Sequence, residues 1–239
     1  GTCPGATCPA LGITGKFFNG ADFEKSVGEY INFSNPSELN SYGNQLTLEA
    51  WIKLESLPGN SQDPTIIDKD FAASYSLYIE GQGDFLEATL VNSSNIPQTV
   101  TGSVVYSTNN WYHAAFTYNG SQIRLYTNGV LDGTPVAHFG NVNTSTKNSL
   151  VGSGWNGNNP LAFPFDGIID EVAVYNRSLS ATEIRDHYQR GILELNLSAR
   201  SCDDSSCNGE SFAKFNNTSP QNLSLTANRY FQYGFNFTT

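Results

Sequence analysis

The stretch Trp111-Tyr-His-Ala-Ala-Phe-Thr-Tyr-Asn-Gly-Ser-Gln-Ile-Arg-Leu-Tyr-Thr-Asn-Gly-Val130 alternates strand-forming runs with two Asn-Gly pairs, Asn119-Gly120 and Asn128-Gly129. Asn-Gly accepts the positive φ angles of a type I′ turn at little steric cost, so the segment predicts two successive hairpins. Such a meander is antiparallel, and an antiparallel sheet can keep one face in water. Upstream, Leu46-Thr-Leu-Glu-Ala-Trp-Ile-Lys-Leu54 puts Leu46, Leu48, Ala50, Ile52 and Leu54 on one face and Thr47, Glu49, Trp51 and Lys53 on the other. That is the period of a half-buried strand. Further apolar stretches at 65–67, 75–79, 85–91 and 100–106 are separated by Gly, Asn, Pro and Ser, the residues of turns. The expected fold is all-β, a two-sheet antiparallel sandwich.

One segment reads as helix. Ser180 caps its start, Glu183 completes a capping box, and Leu179 with Ile184 has the spacing of a hydrophobic staple. Gly191 is the expected stop. After it the composition turns to Asn, Ser and Thr, with strand stretches at 193–200 and 228–237. In the second of these, alternate aromatics form one apolar strand face.

A chain of 239 residues can bury a sizeable core, and with 38% apolar but only 14% charged residues the fold rests on strands and polar loops. A net charge of −10 repels phosphate backbones and anionic headgroups, which argues against nucleic acid as a partner. No apolar run has the length of a membrane-spanning helix, and the opening at Gly1 reads as a processed product.

Cys3/Cys8 and Cys202/Cys207 are close pairs that local disulfides can bridge, which points to an oxidising compartment. The competing reading is one zinc held by all four thiolates. Asn32, Asn92, Asn119, Asn143, Asn176, Asn196, Asn216, Asn217, Asn222 and Asn236 fit the Asn-x-Ser/Thr acceptor pattern for glycosylation. A chain this rich in Asn, Ser and Thr also produces such triplets by chance.

Several blocks together resemble the laminin-G-like jelly roll of the concanavalin A-like lectin/glucanase superfamily. They are Gly15-Lys-Phe-Phe-Asn-Gly-Ala-Asp-Phe23, Glu29-Tyr-Ile-Asn-Phe33, 46–53, Asn110-Trp-Tyr-His-Ala-Ala-Phe-Thr-Tyr118, 123–130 and the run from Phe165-Asp-Gly-Ile-Ile-Asp-Glu-Val to Ile184. The resemblance implies a two-sheet jelly roll over about 15–190. The family's usual first strand is not evident before Gly15.

The resemblance also implies a structural calcium between an early acidic segment and a late aspartate. Asp170 stands at the late position, while Glu24 and Glu29 stand where the family carries aspartates. Calcium takes flexible oxygen coordination, so the longer carboxylates could still serve; the alternative is that Asp170 binds backbone amides as a structural group. In the loop Gly152-Ser-Gly-Trp-Asn-Gly-Asn-Asn-Pro160, Trp155 could stack on a sugar while Asn156, Asn158 and Asn159 offer donors and acceptors. The competing reading is a tryptophan packed under a turn, and Trp51 and Trp111 read as packing residues.

Glucanases of the superfamily carry closely spaced carboxylates along one strand, a spacing missing here. His113, His138 and His187 read as separate histidines, and no catalytic elbow or zinc-hydrolase pair is present. The sequence therefore divides into a disulfide-closed extension (1–14), a jelly roll (15–191) and a C-terminal β extension or partial second module (192–239). The expected role is a non-catalytic, secreted or cell-surface module for adhesion or glycan binding, with a glycan or a surface protein as its partner. Two other readings remain: a filament or surface-layer subunit assembled by β-strand exchange, and, last, a glycoside hydrolase.

Overall fold

The computed structural model describes residues 1–3, 5–40, 42–59, 62–215 and 228–238. Along the chain run β1 (Ala10–Thr14), β2 (Asn19–Phe23), β3 (Ile31–Asn32), β4 (Leu46–Leu54), β5 (Thr65–Asp68), β6 (Tyr75–Glu80), β7 (Phe85–Val91), β8 (Pro97–Val105) and β9 (Trp111–Tyr118). There follow β10 (Gln122–Thr127), β11 (Val130–Ala137), β12 (Leu150–Val151), β13 (Gly154–Asn156), β14 (Asn159–Ala162), β15 (Gly167–Tyr175), α1 (Ala181–Ile192), β16 (Glu194–Cys202), β17 (Ala213–Phe215) and β18 (Tyr230–Thr238). The described residues form two compact units, Gly1–Tyr188 and Gln189–Thr239, so the division falls inside α1.

In the first unit a seven-stranded sheet ordered β1-β2-β15-β4-β9-β10-β11 faces a six-stranded sheet ordered β3-β12-β5-β6-β7-β8. Leu48, Ile52 and Phe116 from one sheet and Leu77, Ile79 and Leu86 from the other meet in the core with no solvent exposure. Each such side chain contributes about 2 kcal/mol by leaving water. β1 pairs with β2 at the sheet edge, so a first strand does precede Gly15. On the opposite side Asp132 joins the sheets. Its Oδ1 accepts the Ser103 and Val104 amides of β8 at 2.7 and 3.1 Å, and its Oδ2 accepts the Thr127 hydroxyl at 2.7 Å.

The two Asn-Gly turns differ. Asn128 and Gly129 both have positive φ, 52° and 76°, as a type I′ hairpin requires. Gly129 also meets the helix closely, since a Cβ there would lie 3.1 Å from the Arg185 Cα. At the first turn only Gly120 is left-handed; the Asn119 side chain instead accepts the amides of Ser121 and Gln122 at 3.1 and 2.9 Å. An asparagine that can satisfy the turn through its side chain need not adopt the strained backbone.

β4 is not half-buried as its alternation suggests: Thr47, Glu49 and Trp51 on its outer face are buried too. The cover is α1. Its capping box forms, with the Glu183 amide donating to Ser180 Oγ at 3.2 Å and the Ser180 amide to Glu183 Oε2 at 2.8 Å. Leu179 and Ile184 pack on Ala115 and Tyr126, and Tyr188 stacks on Trp51 at 5.7 Å. Gly191 lies within the helix and does not end it; the chain leaves at Ile192.

Beneath the helix, Glu49 gathers groups that are far apart in sequence. Its Oε1 accepts the Tyr175 hydroxyl at 2.9 Å and faces His187 Nδ1 at 2.9 Å, and its Oε2 lies 3.5 Å from His113 Nε2. Two of the three histidines thus share one carboxylate. His138 stands apart, and burial pushes its pKa down.

In the second unit β16 pairs along its length with β18, and on its other side with β17. Phe231, Tyr233 and Phe235 alternate along β18 and are 52%, 66% and 59% exposed. Both expected disulfides, Cys3–Cys8 and Cys202–Cys207, are formed; with no free cysteine, a four-thiolate zinc site is ruled out. Among the described residues no helix is long and apolar enough to cross a membrane.

Burial alone would raise the Glu49 pKa, but the hydrogen bonds and charges of His113 and His187 outweigh it and hold the carboxyl below its ordinary 4.5. Its stabilising contribution is therefore present above pH 4.5 and is lost as pH falls through the lower folded value. Glu49→Ala is expected to cost about 3 kcal/mol near neutrality, and clearly less at low pH. Urea denaturation of both proteins across that pH range measures the difference.

Candidate functional site

Alternation along β6 decides where a site can form. Tyr75, Leu77 and Ile79 point into the core, so Ser76 and Tyr78 point out of the six-stranded sheet. On this outer face the Tyr78 hydroxyl donates to Glu87 Oε2 at 2.9 Å, and Thr89 and Thr99 share a hydrogen bond of 2.9 Å. The hairpin β13–β14 forms a wall beside β5 and β6. It is fixed by the Thr65 amide donating to the Phe163 carbonyl at 3.0 Å.

Between hairpin and sheet lies a cavity of about 70 Å³. Asp68, Ser76 and Thr65 line it with Asp63, Gly154 and three aromatic rings: Phe71, Tyr78 and Phe163. Phe71 stands edge-on to Tyr78 at 6.0 Å and is 44% exposed, so it forms an accessible rim. Phe163 holds φ at 60°, an unusual backbone for a bulky residue. Gly154 keeps the space open, because a Cβ there would approach Thr65 Oγ1 to 2.9 Å.

Asp68 is the unusual group. It has no solvent exposure, and its Oδ2 accepts the amides of Trp155 at 2.9 Å and Asp70 at 3.2 Å. Oδ1 is buried without a hydrogen-bond partner. Burial raises the carboxyl pKa to about 7; the Trp155, Asp70 and Ser76 groups oppose this only in part, and the Asp70 charge adds to it. Asp70 is itself paired with Lys147 at 3.7 Å, and Asp63 across the cavity accepts the Gly81 amide at 2.9 Å. A larger groove of about 400 Å³, beside Leu11 and Phe33, holds no such buried unpartnered atom among its described lining residues.

The loop of Trp155, Asn156, Asn158 and Asn159 adjoins this cavity through its backbone. The Trp155 indole donates to the Asn148 carbonyl at 2.9 Å, and the Lys147 ammonium sits 5.1 Å from the centre of its half-buried ring. Asn156, Asn158 and Asn159 are exposed around the hairpin tip. Trp51 is buried, and Trp111 lies under Lys53, 5.8 Å from its ammonium.

The expected calcium ligands do not converge. Asp170 sits at a β-bulge of β15, with Oδ1 accepting the Glu171 amide at 2.8 Å and Oδ2 the Phe17 amide at 2.9 Å. Glu29 accepts the Glu24 amide at 2.8 Å beyond the other end of β2. Among the described residues no group of three or more His, Cys, Asp or Glu side chains is arranged to hold a metal ion. These three residues do not fit a calcium shared between them.

Of the sequons, Asn176 and Asn236 are exposed, whereas the Asn92 amide is buried and donates to the Phe139 carbonyl at 2.9 Å. Asn32, Asn119 and Asn143 are partly buried, with side chains hydrogen-bonded to Ser34, Ser121 and Asn95. Asn196 lies on β16; Asn216, Asn217 and Asn222 lie outside the described residues.

A laminin-G family model, described as the concanavalin A-like lectin/glucanases superfamily, matches residues 25–185, more than half of the chain. The chain belongs to the concanavalin A-like lectin/glucanase superfamily. Among curated proteins, none matches it. This superfamily member is similar to domain 4 of AbnA, an extracellular arabinanase of Geobacillus stearothermophilus, solved in complex with arabinotriose. The identity is 25% and the TM-score 0.54, over 78% of this chain and 81% of that one. The binding domain of Paraclostridial Mosquitocidal Protein 1 aligns at 13% identity and TM-score 0.64, over 88% of this chain and 58% of that one. The botulinum neurotoxin serotype G binding domain aligns at 15% and 0.59, over 90% and 58%. At those identities the two toxin domains bear on the fold alone.

The pH response of Asp68 follows from its environment. A carboxyl raised from 3.8 to about 7 on folding supports stability fully below 3.8, and that support is lost as pH rises through about 7. Asp68→Asn keeps an acceptor for the two amides but cannot ionise. It is expected to be more stable than the parent at pH 8.5, with a smaller gain at pH 5. Urea denaturation at both values checks this, and an equal gain at the two would refute the assignment.

Proposed function

We propose that the first unit is a non-catalytic carbohydrate-binding module acting outside the cell through the cavity on its six-stranded sheet. The observation that carries this is the exposed Phe71 rim above a polar floor of Asp68, Ser76 and Thr65. An aromatic face beside converging polar groups is the arrangement that orients a sugar. The superfamily and the arabinotriose complex of the AbnA domain support the reading, and the two disulfides support an oxidising location. Asp63 and Asp68 share the cavity, but glycoside cleavage needs two acids flanking a bond between sugar rings. The cavity is too small to seat a sugar ring between them, which favours binding over turnover.

Titration of the purified chain against a panel of oligosaccharides tests this. At least one is expected to bind, Phe71→Ala is expected to weaken it about tenfold while leaving the fold intact, and no reducing ends should be released. Release of reducing ends would establish the hydrolase reading instead.

A second reading, self-assembly by strand addition, is favoured by one feature of the second unit. β18 presents Phe231, Tyr233 and Phe235 on one exposed face. Apolar strands of this kind pair readily with other chains. Light scattering over a concentration series should then show concentration-dependent oligomers that the triple change to Ser abolishes; a strict monomer at every concentration would refute it.

A further inference from the structure

The cavity beside Asp68 is unbalanced in a way that selects its occupant. Its lining side chains offer acceptors in excess: the carboxylates of Asp63 and Asp68 and the hydroxyls of Thr65 and Ser76. Donors are scarce. Among the described residues no amide, guanidinium or ammonium side chain lines it; the Thr65 hydroxyl donates to the Asp63 carbonyl, the Ser76 hydroxyl bonds Asp68, and the Tyr78 phenol donates to Glu87. The remaining walls are the rings of Phe71, Tyr78 and Phe163. Aromatic faces around carboxylates attract organic cations, through the ring quadrupole and through charge. Among the described residues Asp68 Oδ1 is a buried acceptor without a hydrogen-bond partner, with the Ser76 hydroxyl beside the same carboxylate.

Size narrows the class further. A volume of about 70 Å³ is about two waters' share of liquid, room for an ammonium group and its first carbon. A complete sugar ring must stay outside, where Phe71 offers a partly exposed face. The net charge of −10 adds a long-range attraction for cations.

From this geometry we propose that the cavity takes a primary ammonium group, presented by an amino sugar whose ring lies on Phe71. This rests on the carbohydrate-binding reading and specifies its ligand class. The facing groups set the pH response: Asp68 and Asp63 are the acids within the cavity, with Asp70, paired to Lys147, behind Asp68. n-Butylammonium remains charged throughout pH 5 to 9, so a change in its affinity over that range reports the protein's acids, whereas the amine of an amino sugar itself loses its proton near neutrality. Affinity for butylammonium should rise with pH as Asp68 ionises.

The test is calorimetric titration of the whole chain at pH 7 with four probes: a glucosamine oligosaccharide, its fully N-acetylated counterpart, arabinotriose and n-butylammonium. The glucosamine oligosaccharide is expected to bind at least about tenfold more tightly than the N-acetylated and arabinose probes. Butylammonium should bind weakly and more tightly at pH 8.5 than at pH 5.5. Asp68→Asn should remove the preference for the amine, and Phe71→Ala should weaken the oligosaccharide but not butylammonium; thermal melts show whether each variant is folded. Equal or tighter binding of the neutral sugars would overturn the ammonium site and leave the carbohydrate reading standing. Binding of butylammonium without any sugar would do the reverse, and binding of no probe would overturn both.

Discussion

A carboxylate removed from water must be met by hydrogen-bond donors, because the cost of leaving it unmet exceeds what most single contacts contribute. The first unit is organised around that requirement. Glu49 fastens α1 to the outer face of β4 through His187, and Tyr175 of β15 donates to the same carboxylate. Asp132 joins β11 to β8, and Asp170 ties the turn before β2 to the bulge in β15. In each case the acid links segments that the sheets alone would leave loose. Asp68 departs from this pattern, with one oxygen satisfied by backbone amides and the other buried without a hydrogen-bond partner among the described residues.

The helix shows how one requirement generates another. A central strand in a two-layer sandwich ordinarily keeps one face wet. Here Trp51 and the apolar residues on the neighbouring strands gave the outer face enough apolar surface to hold a helix, and Leu179, Ile184 and Tyr188 supply the matching side. Covering that face buries Glu49 with it, and the two histidines complete the arrangement. The helix thereby covers this part of the seven-stranded sheet, while the cavity beside Asp68 opens on the outer face of the six-stranded sheet.

Much of the architecture was legible in the sequence because it is local. Period-two alternation marked β4, short apolar runs marked β5 to β8, the Asn128-Gly129 pair fixed one hairpin, and Ser180 with Glu183 marked the start of the helix, whereas β1 was not expected. What escaped depends on contacts between distant segments. Asp68 follows an apolar run and looks like the polar end of a strand; its burial is imposed by a hairpin whose Trp155 amide lies 87 residues further along. His187 reaches Glu49 across 138 residues, so no spacing rule connects them. Trp155 stood out in the sequence as part of a polar loop, but its contacts with Lys147 and Asn148 depend on how that loop folds. The early carboxylates failed as partners for Asp170 because they lie beyond the far end of the strand that separates them.

Phe163 is held in a left-handed backbone while its carbonyl is pinned to Thr65, so the wall it forms has little freedom to collapse inward or swing away. A mouth fixed before its guest arrives spends little entropy on ordering. Association would then resemble a rigid key entering a lock, limited by diffusion and the stripping of water from the entering group, while selectivity would be expressed in how slowly a well-matched guest departs.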